Sequence, residues 1–180
     1  MKIFRKTEFD TDEFMIGDRI DCGFGLATCQ KVSEEGALFF TDDYDNEVME
    51  HKQLVQYLNS EEGLEGFAPE VRDRLVPFNN IFVGKEDGNN MQALVRLPFA
   101  GEMFEKIEID FLEEDDCEQL PLMKDRRNRI ALCQGDPEWG WLMNRSKRYA
   151  ATFGHVTHTG FANYAGASNA SGVRRAFLIK

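Results

Sequence analysis

From Trp139 to Lys180 the chain contains no proline and no acidic residue, and its glycines at 154, 160, 166 and 172 recur every six residues. Glycine reaches positive φ at little steric cost, so this spacing suits short strands joined by tight turns. Thr, Ser, Asn, Ala and aromatic residues fill the intervals, and no helical period runs through them. The segment closes on Gly172-Val173-Arg174-Arg175-Ala176-Phe177-Leu178-Ile179, apolar enough for a central strand. Burying Phe177, Leu178 and Ile179 contributes about 1.5–3 kcal/mol per side chain. The expectation is glycine-punctuated β-structure secured by the last strand, with polar and ring-bearing side chains facing outward.

The same segment carries Arg145, Lys147, Arg148, Arg174, Arg175 and Lys180. These are six of 21 basic residues, and the other 15 share residues 1–138 with all 32 acidic ones. The whole chain has a net charge of −11 and an isoelectric point of about 4.8. Such a chain repels phosphate backbones, which argues against a nucleic-acid partner. Two readings of the basic tail stay open: it packs against the acidic part of its own domain, or its cations receive a ligand. No apolar run approaches the roughly 18 residues of a spanning helix, so no membrane partner is expected. The start, Met1-Lys2-Ile3-Phe4-Arg5-Lys6, turns acidic before any apolar stretch of the export type. With 42% apolar residues among 180, a single domain over 1–180 with a real core is expected.

Upstream, Phe14-Met15-Ile16 reads as a strand. Leu26 to Val32 and Ala37 to Phe40 read as a hairpin about Ser33-Glu34-Glu35-Gly36, its second run covered on both faces. His51, Leu54, Val55 and Leu58 fall at i, i+3, i+4 and i+7, which predicts a helix of about three turns ending near Asn59. A second helix starts at Pro69, repeats Val71 and Leu75, and ends at Pro77, with Gly63 and Gly66 in the loop before it. Met91 to Arg96 is a strand candidate. Lys106-Ile107-Glu108-Ile109-Asp110-Phe111 alternates with a period of two, as a half-buried strand does. The run Glu113-Glu114-Asp115-Asp116 reads as a solvated loop.

Cys22, Cys29, Cys117 and Cys133 form no C-x-x-C pair, so free buried thiols are expected rather than a zinc cage or disulfides. His155 and His158 make an H-x-x-H, but on a strand the two rings point to opposite faces, and both are expected to be satisfied or exposed. Asp42-Asp43-Tyr44-Asp45-Asn46-Glu47 has the oxygen donors of a calcium loop. Counted from Asp43, however, Val48 and Leu54 stand where its glycine and bidentate glutamate belong. No G-x-S-x-G elbow, Walker loop or dinucleotide fingerprint occurs. The expectation is a protein with no metal, no cofactor and no catalytic residue.

The block W-G-W-L-M-N-R-S at 139–146 and the closing G-V-R-R-A-F-L-I-K resemble a bacterial and phage family of uncharacterised domains. Its members show a W-W-L-R-S block, a small-residue stretch and a closing G-V-R-P-A-L-W-I. Trp141, Leu142, Arg145, Ser146, Gly160, Gly172, Val173, Arg174, Ala176 and Ile179 fit that pattern. Upstream, I-G-D-R-I at 16–20, A-L-F-F-T at 37–41, L-V-Q-Y-L-N-S at 54–60 and D-R-R-N-R-I at 125–130 echo family blocks. Arg175 replaces the family's proline, and Arg145 stands two positions late. The family is distantly similar to the formylglycine-generating-enzyme group. That resemblance implies an α+β, C-type-lectin-like fold with two short helices and a twisted antiparallel sheet closed by the C-terminal strand. The absence of an export-type start sets the expectation of a cytoplasmic protein, and the resemblance adds part of a phage particle as the alternative. Formylglycine-generating enzymes use a cysteine pair near the C-terminal region, and here no cysteine follows Cys133.

Tyrosine, asparagine, serine and glycine combine rigid aromatic area with adaptable hydrogen bonding, as binding faces do. The candidate ligand-binding residues are therefore Arg145, Lys147, Arg148, Tyr149, His155, His158, Asn163, Tyr164 and Asn169. The implied partner is a protein, a glycan or a small anionic ligand, since an arginine fork pairs with carboxylate or phosphate. A sheet edge with turns would carry similar small residues, so a purely structural subunit stays open, as does a metal-dependent or oxidative enzyme. Arg174, flanked by apolar residues, is expected to be internal.

Overall fold

The hairpin about Ser33–Gly36 forms as the sequence predicts in the computed structural model, which describes residues 1–4, 14–84 and 89–180. Part of the opening segment, including Arg5 and Lys6, lies outside the described residues. The chain is α+β, built from short helices and antiparallel sheets. It divides into two units, and the first comprises Met1–Asp42, Gln53–Arg96 and Arg175–Lys180.

In that unit one sheet runs in the order β1 (Ile3–Phe4), β2 (Arg19–Asp21), β3 (Leu26–Ser33), β4 (Gly36–Thr41), β16 (Ala176–Ile179) and β6 (Leu75–Val76). The strand β9 (Val95–Arg96) also pairs with β16. β4 and β16 are buried along their whole lengths. Phe39 pairs with Phe177 and their rings stack 5.8 Å apart, which is how two continuously apolar runs satisfy each other at the centre of a sheet. A separate hairpin joins β7 (Phe82–Gly84) to β8 (Asn90–Gln92). Met91 to Arg96 is thus two strands, and Phe14 to Ile16 is none: Phe14 sets its ring edge-on to Phe39 at 5.0 Å.

The helices of this unit are shorter than periodicity suggests. α1 (Leu54–Leu58) cannot extend back to His51, because Gln53 sits at φ 59 in the left-handed region. The predicted loop around Gly63 is a helix, α2 (Glu61–Glu65), capped by the Ser60 hydroxyl, which accepts from the Gly63 N–H at 3.1 Å. α3 (Pro69–Arg72) begins with proline as predicted but ends before Leu75, which joins β6. Buried Asn59 ties α1 to β9: its amide donates to the carbonyls of Val55 and Val95, and its oxygen accepts from the N–H groups of Leu94 and Val95. Arg175 is buried here too, its guanidinium 3.6 Å over Phe24 and donating to the Gly63 carbonyl at 2.7 Å.

The second unit comprises Asp43–Lys52 and Leu97–Arg174. β5 (Met49–Glu50) pairs with β15 (Ala170–Ser171), and β10 (Leu132–Cys133) with β11 (Asp136–Pro137). β12 (Gly140–Arg145), β13 (Thr152–Val156) and β14 (Ala162–Gly166) form an antiparallel meander. A short helix, α4 (Ala100–Met103), and three 3-10 turns complete it.

One of those turns, Lys106–Ile109, replaces the half-buried strand that alternation predicts. The Glu108 carboxylate reaches back to the Glu105 N–H at 2.9 Å and closes the turn. Ile109 and Leu112, three residues apart, are buried, while Ile107 is 82% exposed. The six-residue glycine recurrence has two causes. Gly160 takes φ +87 in a turn; Gly172 is there for close approach, since a Cβ would stand 2.5 Å from the Tyr44 ring.

Candidate functional site

The meander is held by a tight turn between β13 and β14, in which the Thr157 N–H donates to the Phe161 carbonyl at 2.7 Å. Register puts Trp141, Phe153, His155 and Asn163 on one face of the sheet, and Gly154, Val156, Ala162 and Tyr164 on the other.

The first face gathers all three histidines and both tryptophans of the chain. His51 lies on the Phe153 ring and edge-on to Trp141 at 5.2 Å, with its Nε2 2.9 Å from the Leu142 carbonyl. The Trp141 indole N–H donates to the Met49 carbonyl at 2.7 Å. His155 packs 4.5 Å from Trp139 and 6.0 Å from Trp141, and His158 is 5.7 Å from Trp139. Burial pushes both His51 and His155 down to about 4, since desolvation disfavours the charged ring.

His155 corrects the expectation that the tail's polar groups face outward. Strand alternation turns it onto the tryptophan face, where it is 4% exposed and neither ring nitrogen has a hydrogen-bond partner. It is therefore neither exposed nor satisfied. His158 lies past the end of β13 and is exposed. Among the described residues no group of three or more His, Cys, Asp or Glu could hold a metal ion.

Tyr164, on the opposite face, is 40% exposed and Tyr149 is 53% exposed. Their rings lie 5.6 Å apart at 31°, with Phe111 5.7 Å from Tyr164. Exposed Lys147 and Arg148 precede Tyr149 in the β12–β13 loop. The Ser146 hydroxyl shapes that loop by accepting from the N–H groups of Arg148 and Tyr149 at 3.2 and 3.3 Å. The structure thus brings Tyr149 and Tyr164 together, with exposed Lys147 and Arg148 preceding Tyr149 in the same loop. Arg145, at the register position of Phe153, places its guanidinium 5.4 Å over that ring. Asn163 is exposed and its Oδ1 accepts from the Tyr164 N–H at 2.9 Å; Asn169 is exposed beyond β14. Arg174 is internal as predicted, 5% exposed and donating to the Asn128 carbonyl at 3.1 Å.

A shallow hollow of about 90 Å³ escaped the sequence reading. Ile109 and Leu112 give it apolar lining, and Lys106, Lys147, Asp110, Glu113 and Glu114 add charge. The acidic run is only partly solvated. Asp115 accepts from the N–H groups of Gly101 and Cys117, both at 2.9 Å, and from the Asn144 amide at 2.7 Å. Spacing gives no hint of this hollow, because a 3-10 turn and a bridge between Leu112 and Ser146 create it.

All four cysteines are free thiols. Burial pushes Cys22 up to about 11 and Cys29 up to about 12, whereas Cys117 and Cys133 are only partly buried. Asp43 is used internally, accepting from the Leu132 N–H at 3.3 Å. No helix among the described residues is long and apolar enough to cross a membrane. No protein-family model, curated protein or solved structure matches the chain.

Proposed function

We propose that the chain is a non-enzymatic ligand- or receptor-binding module whose contact surface is built from Tyr149 and Tyr164 with Lys147 and Arg148. The observation that carries this reading is the tyrosine pair. Two half-exposed rings lie 5.6 Å apart, in a loop whose two preceding residues are exposed cations, where burial in the protein would have been the cheaper use of aromatic area. Tyrosine faces suit sugar or peptide groups, and the flanking ammonium and guanidinium suit acidic ones. The partner class is thus an anionic glycan, an acidic peptide or a protein surface presenting either.

The finer architecture we propose is C-type-lectin-like, which the central position of the C-terminal strand β16 supports. Membership of the bacterial and phage family, and with it a place on a phage particle, rest on the tail signature. The test is an immobilised panel of sulfated, carboxylated and neutral glycans with acidic and neutral peptides, probed at 50 and 500 mM salt. Retention of anionic members that is lost at high salt is expected. Retention of neutral members alone, or stoichiometric copper, iron or calcium in the purified protein, would overturn the reading.

A further inference from the structure

We infer that the Trp139 indole is an acid-operated lid over His155, swinging aside when that imidazole takes up a proton. The inference does not depend on the tyrosine surface, since Tyr164 lies on the opposite face of the meander. Its basis is a buried base that nothing in the protein uses: His155 is 4% exposed and neither ring nitrogen has a hydrogen-bond partner. Two indoles cover it, and they are held unequally. Trp141 is 1% exposed and its N–H donates to the Met49 carbonyl at 2.7 Å. Trp139 lies outside any strand, is only partly buried, and its indole N–H makes no hydrogen bond among the described residues. The Trp139 backbone, by contrast, is pinned: its N–H donates to the Glu138 carboxylate at 2.8 Å and its carbonyl accepts from the Gly172 N–H at 2.6 Å. The ring can therefore rotate about its side-chain bonds while β12 stays in place.

A neutral imidazole tolerates this enclosure better than an imidazolium, whose charge needs water or an acceptor. The strands packed on His155 offer neither: β12 presents Trp141 and β14 presents Asn163 at its register positions, and within β13 Phe153 shares the face with His51 on its ring. The titratable and charged groups around this face are His51, His158, Glu138 and Arg145. His158 is exposed beside Trp139, the Glu138 carboxylate turns to the Trp139 N–H, and Arg145 lies over Phe153. Burial, with no contribution from these charges, holds His155 down to about 4. Opening the lid returns the ring to water, where it titrates near 6.5. The closed form is therefore favoured at neutral pH, and the open-to-closed ratio rises on the order of 100-fold as pH falls from 7 to 4. Opening exposes one indole that is already partly wet, a smaller loss than unfolding the meander.

The test is nuclear magnetic resonance on the full chain labelled with nitrogen-15 and carrying His158→Gln, so that the exposed imidazole beside Trp139 does not titrate. The two indole N–H signals, assigned with Trp139→Phe, are followed from pH 7.5 to pH 4 together with the ring protons of His155. The Trp139 signal is expected to move in one reversible step between about pH 6.5 and pH 4, sharing its midpoint with His155, while Trp141 stays fixed. Cross-peaks between the Trp139 and His155 rings, whose centroids are 4.5 Å apart at neutral pH, should vanish over the same step. His155→Gln should abolish it. Cross-peaks that persist after His155 has titrated, a Trp139 signal that moves only when Trp141 moves with it, or a step that survives His155→Gln each overturns the inference. The cross-peaks need no change at His155, so they decide the question even where His155→Gln fails to fold.

Discussion

The imidazole of His51 lies flat on the ring of Phe153, with centroids 3.5 Å apart and planes 13° from parallel. This contact fixes a neutral ring in the core of the second unit. The same neutrality is imposed on His155 by its tryptophan neighbours, and both histidines titrate near 4 in the fold against about 6.5 when unfolded.

A pH dependence follows. A depressed histidine contributes stability that is fully present above the unfolded value and is lost as pH falls from about 6.5 toward 4, because the unfolded chain then binds more protons. Each ring is worth on the order of 3 kcal/mol across that window. Urea unfolding at pH 7.5, 6.0 and 5.0 should show stability falling steadily. His155→Phe should flatten the slope, and a slope unchanged in that variant would contradict the assignment.

Asn59 makes four backbone hydrogen bonds while buried. Asn59→Ala strands two N–H groups and two carbonyls, at a cost of roughly 2–4 kcal/mol. Asn59→Asp should cost more at pH 7, since a carboxylate would face the carbonyls of Val55 and Val95. Chemical denaturation of the two variants checks the order.

At Gly172 a methyl group meets the Tyr44 ring rather than solvent. Gly172→Ala should destabilise by about 1–3 kcal/mol through overpacking. Gly135→Ala, where nothing lies within 4 Å but φ is +87, should cost only the backbone strain of about 1 kcal/mol. Thermal melts of both variants separate the two causes.

Sequence was most informative where one pattern admitted one structure. The apolar runs Ala37–Phe40 and Ala176–Ile179 had to be covered on both faces, and they pair at the centre of the sheet. Pro69 and the turn before Gly36 punctuate the chain as their chemistry dictates. Alternation misled at Lys106–Phe111, because a side chain reaching back to the backbone competes with strand pairing over so short a stretch. The helix at His51 failed for a related reason: one left-handed residue, Gln53, cuts a periodic pattern that composition alone lets run on. Within the candidate site, Lys147, Arg148, Tyr149 and Tyr164 were legible as exposed residue types. His155 was not, since its face depends on the register of β13 against β12, and no local property of the chain encodes that register.

The central claim is that the paired tyrosines, with their neighbouring cations, are a contact surface. It is tested most directly by calorimetric titration of the tightest anionic binder from the glycan and peptide panel into wild type and a Tyr149→Ala, Tyr164→Ala variant. Both rings are substantially exposed, so the variant should keep its melting temperature within about 2 °C. The account predicts at least a tenfold loss of affinity in the variant. Equal affinity of the two proteins would contradict it.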